Sequence, residues 1–149
     1  MSNFILIKDD LINKEEINNL IKFYNDNLKY IIKFRDTYPL NLNNNFINLK
    51  NKINDFLKIY VIDWWQIVHW PLGSYQNLHF DSASDLTSLT SISYLNNDFT
   101  GGQTFFEDQT IIHPKLGRTL LFNGQQYKHG VKQVLTGNRY TLAIWYKNG

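Results

Sequence analysis

Apolar positions along the chain follow two periods, and the switch between them near residue 60 sets the expected architecture. Phe4 to Lys8 is apolar and β-branched enough for a first strand. Asn13 followed by Glu16 has the N-x-x-E form of a helix cap with a reciprocal carboxylate, and Ile17, Leu20, Ile21, Tyr24 and Leu28 then recur at helical spacing. After the Asn-rich stretch 41–45 a second helix is predicted. Phe46, Leu49, Ile53, Phe56, Leu57 and Tyr60 share its apolar face, with Lys50, Asn51, Asn54 and Lys58 opposite. Beyond residue 60, short runs of aromatic and β-branched residues follow one another at 64–70, 75–81, 87–95, 103–106, 110–112, 118–122, 128–134 and 139–146. Turn residues separate them, among them Pro71-Leu72-Gly73, Asn96-Asn97-Asp98, Gly101-Gly102, Asn123-Gly124 and Gly137-Asn138. This pattern predicts a mainly β fold with N-terminal helices (α+β). The strands would form a two-sheet jelly roll or a barrel, and the two helices would pack on one sheet from outside. Residues 1–149 read as one domain, with a strand and supporting helices in 1–60 and the β core in 61–149.

Composition narrows the class. The chain has 149 residues, enough to bury an ordinary core, and its 43% hydrophobic and 19% charged content is that of a soluble globular protein. A formal net charge of +2, without a run of like charges, gives no reason to expect nucleic acid as a partner. No stretch approaches the roughly 18–20 consecutive apolar residues of a membrane-spanning helix. The opening MSNFILIKDD lacks a basic leader and reads as a strand rather than a signal peptide. Cysteine is absent, which excludes disulfides and thiolate-bound metal and fits a reducing cytoplasm. Heavy use of Asn, Ile and Lys points to an AT-rich genome, bacterial or viral.

Candidate chemistry concentrates in four residues. His79 and Asp81 are two apart on a predicted strand, so their side chains share a face and can reach one ion together. A further histidine, His129, would complete two imidazoles and a carboxylate. That set covers one face of an octahedral iron(II) and leaves the other open. Ten residues later comes Arg139, which the turn Thr136-Gly137-Asn138 is expected to return beside His129 as the second arm of a hairpin. On the last strand Arg139, Thr141, Ala143 and Trp145 alternate onto one face, so the guanidinium would point inward and require an anionic partner. His69 and His113 lack a matching carboxylate or cation and read as structural. Catalytic zinc also takes two histidines and a carboxylate, but the H-E-x-x-H helix of zinc proteases does not occur here.

Residues 64–146 resemble the iron(II)- and 2-oxoglutarate-dependent dioxygenases, in particular the prolyl 4-hydroxylase branch. The matching pieces are Trp70-Pro71-Leu72-Gly73-Ser74-Tyr75, His79-Phe80-Asp81, Ser93-Tyr94-Leu95-Asn96, Phe99-Thr100-Gly101-Gly102-Gln103-Thr104, Pro114-Lys115-Leu116-Gly117-Arg118, Leu120-Leu121-Phe122, His129-Gly130-Val131 and the run from Asn138 to Tyr146. The resemblance implies a double-stranded β-helix (jelly roll) with His79, Asp81 and His129 as both metal ligands and catalytic centre. It implies iron(II), 2-oxoglutarate and oxygen as cofactor and cosubstrates, with ascorbate as a candidate reductant. Arg139 would pair with the far carboxylate of 2-oxoglutarate and Tyr94 would donate to the same group, with Thr141 as a further contact. Tyr75 and Trp145 match family positions that wall the pocket for a target proline, and Tyr127, two residues before His129, would line its mouth.

The chain departs from the family pattern in two places. Trp70 stands where many members have a tyrosine near the cosubstrate, and an indole donates but does not accept. The segment Ser82–Ser88 is also short for a region that often folds over a peptide substrate, which implies a more open site. The expected partner is a proline-containing peptide or protein. Two rival readings stand beside this one: the same chemistry on another amino-acid side chain or a small molecule, and a non-catalytic β-sandwich that binds metal.

Overall fold

The structure is a computed structural model that describes residues 4–81 and 89–149. Its strands are β1 (Leu6–Asp9), β2 (Tyr38–Asn41), β3 (Tyr60–Trp70), β4 (Gln76–His79), β5 (Leu89–Tyr94), β6 (Thr100–Gly101), β7 (Thr104–Phe106), β8 (Ile111–Ile112), β9 (Arg118–Phe122), β10 (His129–Val131), β11 (Val134–Thr136) and β12 (Arg139–Asn148). Helices α1 (Lys14–Asp26) and α2 (Ile47–Leu57) precede β3, and a single 3-10 turn, Leu28–Tyr30, follows α1. The capping box forms as the sequence predicts. Asn13 accepts from the Glu16 N–H at 2.8 Å, and Glu16 accepts from the Asn13 N–H at the same distance. Helix α1 stops before Leu28 because Asn27 takes over its last carbonyls: its side chain donates to Phe23 and its backbone N–H to Tyr24. Leu28, expected on the apolar face, is therefore solvent-exposed, and Phe56 is also largely outside the core.

Two sheets carry the fold. The larger has the order β1-β9-β5-β12-β3-β2, and the smaller β4-β10-β7-β8; β11 and β6 form a separate pair. Period-two alternation in β12 divides its side chains between two environments. Leu142, Ile144 and Tyr146 pack outward with Trp65 and Ile67 of β3 against Ile17, Leu20 and Tyr24 of α1 and Leu49 and Ile53 of α2. Each such fully buried apolar side chain contributes about 1.5–3 kcal/mol. Arg139, Thr141, Ala143 and Trp145 face the other way, toward the smaller sheet. A bulge near Asp63 shifts the β3–β12 register, so Ile62 and Trp65 both reach the helix layer although they are three apart. Between the sheets, Tyr94, Phe106, Leu120 and Phe122 form a second apolar cluster that closes one end of the sandwich. This is the double-stranded β-helix with helices on one sheet that the sequence led us to expect.

Three features differ from expectation. Strand β2 was not predicted; Pro39 lies inside it, and the strand sits at the sheet edge, where proline is tolerated. The predicted run 128–134 divides into β10 and β11, which belong to different sheets. Consequently Arg139 does not return on a hairpin beside His129. The turn at Gly137, with φ +73°, carries the chain across to the larger sheet, where β12 lies between β3 and β5.

Candidate active site

The open end of the sandwich is a cleft of about 430 Å³ between the sheets. His79, Asp81 and His129 lie on one wall; Trp70, Arg139, Thr141 and Trp145 lie on the other. His79 and His129 are direct cross-strand neighbours in the β4–β10 pair, with ring centroids 4.5 Å apart. Asp81 sits two residues past His79, just beyond the strand end, and its N–H donates to the Gly124 carbonyl at 2.8 Å. One ligand atom from each of the three falls within 4.8 Å of the others. A larger, shallower depression of about 720 Å³ between α1 and residues 95–98 contains no histidine.

Each of the three side chains is oriented by a second contact that leaves one atom free. The His79 Nδ1–H donates to the Asn77 carbonyl at 2.8 Å, and the His129 Nδ1–H to the Tyr127 carbonyl at 3.0 Å. A carbonyl only accepts, so both Nδ1 atoms carry the proton and both Nε2 atoms present lone pairs. The Thr90 hydroxyl donates to Asp81 Oδ2 at 2.6 Å, which leaves Oδ1. His129 Nε2 lies 3.1 Å and His79 Nε2 3.8 Å from that oxygen. Electron pairs facing one another at such distances repel unless a cation lies among them. This donor set, two imidazole nitrogens and one carboxylate oxygen with the rest of the sphere open, fits iron(II).

Burial and neighbouring groups shift His79 and Asp81. Burial pushes the His79 imidazole below its ordinary value, outweighing the Asn77 carbonyl and the Asp81 charge, which raise it. Burial by itself would raise the Asp81 carboxyl. Positive charge on the His129 side of the carboxylate and the Thr90 hydrogen bond reverse this and hold it below the usual carboxylate range. Gly124 completes the seat: a side chain there would collide with Asp81 Oδ2 and Thr90 Oγ1, so only glycine lets the carboxylate settle. Thr90 and Gly124 were not singled out from the sequence, although Asn123-Gly124 was visible as a turn.

On the facing wall Arg139 is 1% exposed. Its Nε–H donates to the Gly102 carbonyl at 2.8 Å and Nη2 to Thr104 Oγ1 at 3.3 Å. The guanidinium lies 4.9 Å from the Trp70 ring and 5.3 Å from the Tyr94 ring. No carboxylate among the described residues pairs with it, and burial lowers its pKa. Beside it, Trp70 Nε1 is a buried donor without a partner among the described residues. A buried cation and an unsatisfied N–H together in a cleft form a receptor for an anion. Thr141 is buried on the same strand face as Arg139 and lines the cleft.

The remaining expected residues are less uniform. Trp145 stacks on Trp64, with centroids 4.5 Å apart, and both line the cleft, as does the half-exposed Tyr75. Tyr94 is fully buried behind Arg139 and outside the lining, with its hydroxyl paired to Thr104 Oγ1 at 2.7 Å. Tyr127 is not at the mouth. It sits in the turn before β10, and its ring stacks on Phe4 at 4.0 Å. Residues Phe34 to Thr37 do line the mouth, which the sequence did not reveal. His69 is structural, stacked on Tyr140 and hydrogen-bonded to Asn138, while His113 is exposed. The expectation about Ser82–Ser88 lies outside the described residues.

Residues 65–147 match the family model of the 2OG-Fe(II) oxygenase superfamily. The chain belongs to that family. Within this oxygenase superfamily, human prolyl 3-hydroxylase 2 is 38% identical over 64 residues, covering 38% of this chain and 9% of that protein. The chain thus spans less than a tenth of the length of that relative. Among solved structures, the viral collagen prolyl hydroxylase of Paramecium bursaria Chlorella virus-1, in its 2OG complex, superposes with a TM-score of 0.80 at 18% identity. The match covers 99% of this chain and 97% of that one. A prolyl hydroxylase from Trichoplax adhaerens, in complex with a peptide fragment of the hypoxia inducible factor oxygen degradation domain, gives 0.80 at 17% identity over 99% and 84%. The family is one of oxygenases that use iron(II) and 2-oxoglutarate, and the His79, Asp81 and His129 cluster in the cleft fits that metal. Among the described residues no helix is long and apolar enough to cross a membrane.

Proposed function

We propose that this oxygenase hydroxylates prolyl residues in a peptide or protein, with His79, Asp81 and His129 holding iron(II) and Arg139 anchoring the far carboxylate of 2-oxoglutarate. The observation that carries the reading is the pairing, across one cleft, of a convergent three-ligand cluster and a buried guanidinium without a carboxylate partner among the described residues. When bound, iron(II), 2-oxoglutarate and oxygen supply the oxidation: the diacid becomes succinate and carbon dioxide, and one oxygen atom enters a substrate C–H bond.

The chain's own side chains do the rest. The Asn77 and Tyr127 carbonyls fix the imidazole tautomers, and Thr90 fixes the carboxylate. Arg139 receives the diacid in a charge-assisted pair, with the Trp70 N–H and the Thr141 hydroxyl as further donors. Tyr94 acts from behind as a positioning residue, its ring against the guanidinium and its hydroxyl on Thr104. The stacked Trp64 and Trp145 and the nearby Tyr75 offer an apolar, flat surface suited to a pyrrolidine ring. The prolyl hydroxylase names among the relatives favour the same substrate. The cysteine-free chain suits a reducing cytoplasm. The test is incubation with iron(II), ascorbate, 2-oxoglutarate and a library of proline peptides in air. Succinate together with a mass gain of one oxygen atom on proline supports the proposal; succinate without any modified proline removes the substrate assignment.

A further inference from the structure

The segment between α1 and β2 has an unusual surface. Leu28, Tyr30, Ile32 and Phe34 are 58%, 66%, 81% and 61% exposed, while Ile31 alone turns in to pack beneath the helices. Between them stand Lys29, Lys33 and Arg35, all exposed. None of these cations has a carboxylate partner among the described residues. Each instead lies over an aromatic ring: Lys29 over Tyr30 at 5.1 Å, Lys33 over Tyr38 at 6.0 Å and Arg35 over Phe34 at 5.3 Å. The segment has one acid, Asp36. Apolar surface concentrated in so short a stretch marks an interaction site rather than ordinary scatter. The patch is also continuous with the active site, because Phe34 and Arg35 line the cleft mouth.

We propose that this ledge is a docking surface for the part of the polypeptide substrate flanking the hydroxylated residue, and that it selects an acidic, apolar, unfolded segment. The inference rests on the reading of the cleft as a site for a polypeptide. Leu28 and Ile32 match aliphatic side chains, and the three cations match carboxylates. A chain leaving the cleft past Phe34 meets both without changing surface. Charge complementarity of this kind governs partner choice and encounter rate. Nucleic acid is the other anionic polymer, but two aliphatic side chains among the rings favour protein.

The test is binding of two labelled peptides to protein loaded with manganese(II), which prevents turnover. One peptide has a central proline with alternating Glu and Leu on its flanks; the other has Lys in place of Glu. The acidic peptide should bind about tenfold more tightly, and the Lys29→Glu/Lys33→Glu variant should abolish or invert that preference. Lys8→Glu, a single substitution of the same kind on β1 at the opposite edge of the larger sheet, should leave it intact. Lys29→Gln/Lys33→Gln should give an intermediate effect if the reversed variant is poorly folded. Equal binding of both peptides, or an acidic preference untouched by the lysine variants, overturns the proposal. Tight capture of a single-stranded oligonucleotide in place of the acidic peptide overturns it too. Hydroxylation is read separately in iron-loaded protein, so loss of the prolyl assignment is distinguishable from loss of the ledge.

Discussion

Trp70→Phe separates ligand recognition from packing at the least satisfied atom of the site. Trp70 Nε1 is buried without a hydrogen-bond partner among the described residues, and its ring lies 4.9 Å from the Arg139 guanidinium. In the ligand-free protein an unsatisfied buried donor costs about 1–3 kcal/mol, and removing it returns that amount. Phenylalanine keeps an aromatic face for the guanidinium but leaves part of the indole volume empty, at a comparable cost. The two nearly cancel, so the ligand-free variant should unfold within about 1 kcal/mol of the parent. With 2-oxoglutarate bound the balance changes, because a hydrogen bond to a charged group contributes about 1.5–3 kcal/mol. The dissociation constant should therefore rise about 10- to 150-fold. Calorimetric titration of 2-oxoglutarate into manganese-loaded protein reads the constant, and urea unfolding reads the stability. Trp70→Tyr, which restores a donor, should recover much of the affinity. A constant within twofold of the parent, or a loss explained by destabilisation of the ligand-free protein, would refute the assignment of that N–H to the diacid.

Other consequences follow from neighbouring contacts. Thr90→Val keeps the shape but frees Asp81 Oδ2, and should weaken metal binding about 10- to 100-fold without unfolding the protein, as measured by competition with a chelating dye. Gly124→Ala places a methyl group against the same carboxylate and should reduce metal affinity at least as much; unchanged affinity in the same assay would mean the turn adapts freely. Arg139→Met should leave the ligand-free protein equally or more stable, since it removes a buried charge that no carboxylate among the described residues pairs, while abolishing the 2-oxoglutarate-dependent rise in melting temperature. Asp9, bound by Arg118 and Lys115, has its carboxyl lowered from 3.8 to about 2. Its contribution is therefore complete above the unfolded value and is lost as pH falls from about 4 toward about 2. Solvent screening limits this to about 1 kcal/mol or less, and Asp9→Asn should flatten the acid limb of the stability curve by that amount.

His79, Asp81, His129 and Arg139 stood out because the expected chemistry demands particular residue types, although Asp81 falls just past the end of β4. His79 and Asp81 announced themselves by their separation, and the alternation of β12 placed Arg139 and Thr141 together on an inward face. Residues that act by shape or by a single hydrogen bond carry no such mark. Thr90 is an ordinary strand threonine until Asp81 is seen against it, and Gly124 is an ordinary turn glycine. Tyr127 misled because the two-residue rule was extended past the start of β10, where the backbone is no longer extended. The hairpin expected between His129 and Arg139 failed for a related reason: proximity in sequence was taken for pairing, whereas the two residues face each other from different sheets. The ledge at Leu28–Arg35 was hidden because its leucine appeared to continue the face of α1.

The most direct test of the account is a crystal structure of the protein grown without oxygen in iron(II) and 2-oxoglutarate, with anomalous diffraction measured at the iron edge. A single peak bounded by His79 Nε2, Asp81 Oδ1 and His129 Nε2, with the far carboxylate of the diacid on Arg139, is the predicted result. Iron bound elsewhere, or a diacid whose far carboxylate turns away from that guanidinium, would contradict it.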